Sequence, residues 1–256
     1  MKQETVNRVK NYVALALVLT VALAGSFKYV SKYVKVSNNV SGRELPIYSV
    51  DTEEKKVALT FDAAWGNADT GKILDILKKH NVKVTFFMTG GWVEKYPEDV
   101  KAIFEAGHDL GNHSESHKNM TELSDEEKAQ ELQSVHNKVK ELTGTDMELF
   151  RAPYGEYDDA VILTAEKNGY NTIQWNVDSL DWKDYGVKSI VKTVLDSKEL
   201  VNGSIILCHN GAKYTADALE PLIDGLEKKG YEIVPVSQLI YKDGYHLDVA
   251  GRQIKD

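Results

Sequence analysis

The chain is predicted to fold as an α/β protein, a (β/α) barrel of about seven parallel strands preceded by an N-terminal hydrophobic signal or anchor helix. Three observations predict it. From Lys56 onward, short β-branched or apolar runs alternate with longer amphipathic segments, the rhythm of parallel strands joined by crossover helices. Asp62, His113, Arg151, Asp178 and His209 each fall at or just past the C-terminal end of a different run, and residues drawn from five strands favour a barrel over an open sheet with one switch point. No GxGxxG or Walker loop follows the first strand, which disfavours nucleotide binding.

Taken in order, strands are expected at 57–61, 84–87, 108–111, 149–151, 171–175, 204–208 and 232–235. Helices are expected at 72–79, 94–105, 159–167, 187–195 and 217–229. Pro97 leaves the boundary of the helix at 94–105 open, because proline cannot donate to the preceding turn. A further helix begins at the capping box of Ser124 and Glu127 and runs to about Leu142, where Gly144 stops it.

The ends are different in kind. Lys2, Arg8 and Lys10 precede an apolar run over 12–24, the charged and hydrophobic regions of an export signal. Ala22-Leu23-Ala24 has the small-x-small form of a cleavage site, yet the run extends to roughly 16 tolerably apolar residues, so cleaved signal and uncleaved anchor both stand. Residues 1–30 are read as signal or anchor, 31–55 as a linker, 56–245 as the main domain and 246–256 as a tail. The expected location is the extracytoplasmic face of the membrane or the cell wall, with a membrane contact if the helix is uncleaved.

Composition excludes some classes. Hydrophobic residues at 42% and charged residues at 27% fit a globular core rather than disorder. A net charge of -8 supplies no basic stripe for a phosphate backbone, so no nucleic-acid partner is expected. The single cysteine, Cys208, rules out an internal disulfide framework and reads as a small buried hydrophobe.

Chemistry concentrates in five short stretches. HSESH, 113–117, sets two imidazoles four apart; on a helical turn they would share a face and hold one metal ion, which in catalytic sites takes three protein ligands plus water. RAPYG, 151–155, is a turn in which Arg151 is suited to fix a carboxylate. DSLDW, 178–182, supplies Asp178, Asp181 and an indole. His209 ends an apolar strand, where a general acid is partly desolvated. LTFDAAWG, 59–66, places Asp62 at the lip of the first strand and follows it with Ala63, which can bind neither proton nor metal.

In that order, TFDA, HSESH, RAPYG, DSLDW and ILCH resemble the five motifs of the polysaccharide deacetylase family, over residues 60–209. The resemblance implies a distorted barrel and a divalent ion, usually zinc, that assists removal of an acetyl group from an N-acetylhexosamine unit. It implies Asp62 as general base, His113 and His117 as metal ligands and Arg151 as the residue orienting the base. The backbone N–H of Tyr154 would hold the oxyanion, and His209 would protonate the leaving amine. Asp181 or Asp178 would orient His209 or balance Arg151, with Asp181 favoured for His209, and Trp182 would wall the acetyl pocket. Trp65, Tyr154 and Trp182 are candidates for stacking on sugar faces, with core packing as the alternative.

The pattern breaks at one position. The family has Asp-Asp in its first motif and this chain has Asp62-Ala63, so the third protein ligand is absent and Asp62 itself, Asn67, Asp69 or water must replace it. In this the chain resembles a branch associated with sporulation in Gram-positive bacteria. Three functions follow: a deacetylase of cell-wall polysaccharide, peptidoglycan or chitin-like; a non-catalytic glycan-binding relative; and a glycosidase pairing Asp62 with Asp178 or Asp181. No oligomeric state is assigned.

Overall fold

The structure, a computed structural model, describes residues 38–256. The expected hydrophobic helix of 1–30 lies outside the described residues. Among the described residues no helix is long and apolar enough to cross a membrane.

Thirteen strands are present among these residues: β1 (Asn39–Val40), β2 (Arg43–Glu44), β3 (Ser49–Val50), β4 (Lys56–Ala63), β5 (Thr85–Met88), β6 (Asp109–Asn112), β7 (Leu149–Phe150), β8 (Asn171–Thr172), β9 (Val177–Asp178), β10 (Ile205–His209), β11 (Glu232–Ile233), β12 (Tyr245–Leu247) and β13 (Arg252–Lys255). The main sheet is parallel, in the order β8-β7-β6-β5-β4-β10-β9, with β11 pairing the start of β4. Seven strands thus curl into a distorted half-barrel; six of them were expected from the alternation, β9 was not, and the seventh expected strand, at 232–235, is β11 beside the start of β4. β4 is central and buried from Val57 to Ala63, and its near-continuous apolar text is that of a strand covered on both faces. Phe61 stacks on Phe86 of β5 at 5.2 Å between ring centroids, one of the contacts that fix this register.

The helices are α1 (Thr70–Lys79), α2 (Gly90–Lys95), α3 (Pro97–Glu105), α4 (Asp125–Thr143), α5 (Asp159–Lys167), α6 (Val187–Leu195), α7 (Thr215–Lys228) and α8 (Val236–Leu239). The single helix expected over 94–105 is two: α2 ends at Tyr96, and Pro97 opens α3 at a position whose N–H has no intrahelical acceptor. α4 carries both halves of the Ser124–Glu127 capping box and stops at Gly144 in the left-handed region, φ 75°.

Two boundaries need correction. The expected linker is structured from Asn38 onward, and the expected tail at 246–256 belongs to strands β12 and β13. β13 pairs with β3 and with β12, and Gln253 is fully buried between them. The physical reason is an open seam: β8 and β9 do not pair, and residues 47–50 supply partners there. Ile47 N–H donates to Thr172 C=O (2.9 Å), Gln174 N–H to Ile47 C=O (2.7 Å), and Val50 N–H to Gly203 C=O (2.9 Å). A strand edge left open would expose these groups or recruit another chain.

Candidate active site

β4 carries Asp62 to the C-terminal edge of the sheet, and β10 carries His209 beside it, in direct register. Asp62 is only 6% exposed, and Arg151, which follows β7, is fully buried. Arg151 Nη1 donates to Asp62 Oδ1 at 2.7 Å and to Thr60 Oγ1 at 2.9 Å, while Nη2 donates to Gln174 C=O at 3.1 Å and Nε to Ile173 C=O at 3.4 Å. Its guanidinium lies over the Phe87 ring, 4.2 Å from the centroid. Burial alone would raise the Asp62 pKa, but the charge and hydrogen bond of Arg151, together with His209, outweigh it and hold the carboxyl below its usual range. Asp62 is therefore ionised at neutral pH.

His113 follows β6. Its Nδ1 meets Arg151 C=O at 2.8 Å, which requires the proton on Nδ1 and leaves the Nε2 lone pair directed towards Asp62 Oδ2, 3.6 Å away. Burial lowers the His113 pKa to about 4 against the opposing pull of Asp62, and burial also lowers that of His117. Both rings are neutral donors at neutral pH. The HSESH segment is not the helical turn expected: Ser114 and His117 take positive φ, 65° and 54°. The rings still meet, with centroids 4.9 Å apart. Asn112 Oδ1 accepts from Ser114 N–H, and Ser114 Oγ accepts from His117 N–H, so two short polar side chains hold the turn.

On the other side, His209 Nδ1 and its own backbone N–H bind the two oxygens of Asp181, each at 2.7 Å, and Thr215 Oγ1 donates to Asp181 Oδ2 at 2.6 Å. Burial would lower the His209 pKa, yet the hydrogen bond and charge of Asp181 raise it above the ordinary value. Of the two aspartates, Asp181 is the one hydrogen-bonded to His209. Asp178 does not reach Arg151: it accepts Leu180 N–H at 2.8 Å, interacts with Trp182, and so shapes the loop that presents Asp181.

The three aromatic candidates all stand at this edge. Trp65 stacks on His209, centroids 5.1 Å apart and planes 19° from parallel, and is half exposed. Tyr154 turns at φ 62° with its ring edge against His117 at 4.6 Å, and Trp182 is half exposed. None is a core residue. Sequence reasoning passed over Thr60, Asn112, Ser114 and Thr215, whose hydroxyls and amide buttress the charged groups; Thr60 and Ser114 lie inside quoted motifs, whereas no one-dimensional signal marks Thr215.

At the broken position, the Ala63 methyl is fully buried in the apolar core. Of the proposed replacements, Asn67 is bound to Asp99 at 2.6 Å, and Asp69 accepts the Gly211 N–H on the His209 loop. Asp62 Oδ2 alone faces an imidazole. The donor set fits a divalent ion through two preoriented imidazoles and no dedicated third side chain. Among the described residues, the three-donor cluster close enough to hold an ion lies elsewhere, at His80, Asp224 and Glu227.

A curled parallel sheet thus gathers an arginine-bound carboxylate, an aspartate-bound imidazole and two further imidazoles on its C-terminal edge. Residues 49–173 match the family described as polysaccharide deacetylase, and the chain belongs to that family. It is 36% identical over 203 residues to the peptidoglycan-N-acetylmuramic acid deacetylase PdaA of Bacillus subtilis, covering 78% of this chain and 77% of that one. Among solved structures it is similar to the wild-type CE4 family pseudoenzyme BA3943 from Bacillus anthracis, at TM-score 0.73 and 35% identity over 76% of this chain and 68% of that one. A BA3943 mutant described as a pseudoenzyme with restored enzymatic activity matches at TM-score 0.73 and 36% identity, over 76% and 71% of the two chains.

Proposed function

We propose that the chain is a metal-assisted N-deacetylase of N-acetylhexosamine units in cell-wall polysaccharide. The observation that carries this reading is the pairing of Asp62 with Arg151 and of His209 with Asp181 on adjacent strands, which holds the carboxyl below its usual range and raises the imidazole above its own. Amide hydrolysis needs both at the same pH, a base for the attacking water and an acid for the leaving nitrogen. Asp62 Oδ2 takes the proton from water, and Arg151 keeps Oδ1 fixed so that the free oxygen faces the substrate. His209 donates from Nε2 because Asp181 occupies Nδ1. A divalent ion held by His113 and His117 would polarise the amide carbonyl and lower the pKa of water. The Tyr154 turn would bring a backbone N–H to the developing oxyanion.

The N-terminal basic flank and apolar run support action outside the cytoplasmic membrane, and the Ala63 branch supports a setting in sporulation. Spores unchanged by deletion of the gene would remove the latter part.

Ala63 favours a second reading, a glycan-binding relative without turnover, since a buried methyl stands where the family has a ligand. The glycosidase reading loses its partner: both Asp181 oxygens are committed to His209 and Thr215, and Asp178 is bound into its own loop. Mass spectrometry of an N-acetylated glycan incubated with the chain and zinc separates the three. Loss of acetyl at constant length supports the deacetylase, binding without change supports the relative, and shortened chains support the glycosidase.

A further inference from the structure

Four carboxylates form one stripe along α7, at Asp217, Glu220, Asp224 and Glu227, the three- and four-residue spacing of a single helix face. α1 packs beside it and answers the first two: Lys72 pairs with Asp217, and Lys79 with Glu220. The last two meet no such cation. Among the described residues Asp224 and Glu227 form no ion pair with a lysine or arginine, and both face the imidazole of His80, which caps the C-terminal end of α1.

His80 Nδ1 lies 3.9 Å from Asp224 Oδ1 and 3.9 Å from Glu227 Oε2, and on the other side of the ring Nε2 lies 3.6 Å from Glu220 Oε1. These separations are too long for hydrogen bonds. They are within about half an ångström of the ligand-to-ligand spacing that bonds of about 2.0–2.1 Å give around a tetrahedral ion. One ring nitrogen and two carboxylate oxygens fall within 4.8 Å of one another. An acidic patch alone would not define a site; the imidazole does. Its side chain is only 13% exposed, and Nε2 is shut off from water without a hydrogen-bond partner. With its proton on Nε2, on the side of Glu220, the ring leaves its Nδ1 lone pair facing Asp224 and Glu227, the arrangement in which a carboxylate behind the ring orients a metal-bound histidine.

We propose that His80 Nδ1, Asp224 and Glu227 form a structural zinc site, with water completing the coordination. One nitrogen and two carboxylate oxygens suit zinc and disfavour magnesium, which takes oxygen ligands and sheds water reluctantly. The two carboxylates are exposed and give the ion a path from solvent. The site is separate from the imidazole pair of His113 and His117 and does not rest on the glycan reading. It ties the C-terminal end of α1 to that of α7, and the first turns of both helices brace the loop after β10: Thr70 Oγ1 donates to Asn210 Oδ1 at 3.0 Å, and Thr215 Oγ1 holds Asp181.

Histidine-selective NMR of the full native chain, titrated with zinc, tests this, with the His80 signals assigned by their loss in His80→Gln. The expected result is a saturable shift of the His80 ring signals, with Nδ1 responding as the metal-bound nitrogen. The Asp224→Asn/Glu227→Gln variant, altered only at exposed side chains, should need at least about tenfold more zinc for the same response, and magnesium at the same concentration should leave the signals in place. His80 signals unmoved by zinc, or moved equally well in the carboxylate variant, would overturn the site. Magnesium acting as strongly as zinc would also overturn it, leaving a diffuse acidic patch. His113 and His117 report the active site through their own signals in the same titration, so the two sites are read separately.

Discussion

Arg151 Nη1 and Asp62 Oδ1, 89 residues apart in sequence, meet at 2.7 Å where neither group has appreciable access to water. The pair commits one carboxylate oxygen and leaves the other facing His113. Its cost is desolvation, offset by hydrogen bonds to Thr60, Ile173 and Gln174.

Arg151→Met therefore strands a buried carboxylate. Denaturant unfolding should show a loss of about 3–5 kcal/mol, the usual cost of breaking a buried pair from one side. A loss no larger than that of a surface substitution would show that the pair is not buried in solution.

His209 gives the site a pH signature. Its folded pKa is raised above the ordinary value of 6.5, so its contribution to stability is fully present below that value and disappears as pH rises through the folded pKa. Catalysis should fall over the same upper range as the acid deprotonates. Asp181→Asn removes the raising partner, so histidine NMR titration should find the His209 pKa lower, and the alkaline limb of activity should move down with it. An unshifted titration would show that Asp181 does not set it.

Tyr170 tests how far the imidazole pair depends on its support. Its hydroxyl accepts from Asn112 Nδ2 at 3.0 Å and meets His136 Nδ1 at 2.7 Å, and Asn112 in turn holds the Ser114 turn between the two histidines. With no third side-chain ligand, ring placement carries more of the affinity. Tyr170→Phe should weaken zinc binding about tenfold, the lower end for supporting residues, while the fold survives. Unchanged affinity would detach Asn112 from the metal site.

Gly203 probes the seam between residues 47–50 and the sheet. It sits at φ 79°, and a Cβ there would fall on the Val50 carbonyl. Gly203→Ala should destabilise by about 1–3 kcal/mol, from overpacking and backbone strain together. A neutral result would mean that residues 47–50 do not pack there in solution.

Much of this architecture was legible because buried parallel strands write apolar runs: β4, β5 and β10 were found within one or two residues, as were α5 and α6. β9 escaped because Val177–Asp178 is two residues long and has no run to detect. The segment from Asn38 to Val50 escaped for a related reason. Its polar text, SNNVSG, has the composition of a linker; β1 and β2 pair only with each other, and β3 is specified by partners more than 100 residues away. At the site, charged residues at strand ends were legible by position. Their geometry was not: choosing Asp181 over Asp178 for His209 depends on a 3-10 turn, and the HSESH rings converge through two positive-φ residues rather than helical spacing.

The most direct measurement of the central claim is acetate release from peptidoglycan and from N-acetylglucosamine oligomers, with zinc and with chelator, for the native chain beside Asp62→Asn and Ala63→Asp. The account predicts zinc-dependent release from the native chain, a loss of at least about a hundredfold in Asp62→Asn, and a gain in zinc affinity in Ala63→Asp. Silence from the native chain on both substrates, with release appearing only in Ala63→Asp, would contradict it and leave a glycan-binding scaffold whose chemistry the buried methyl of Ala63 has switched off.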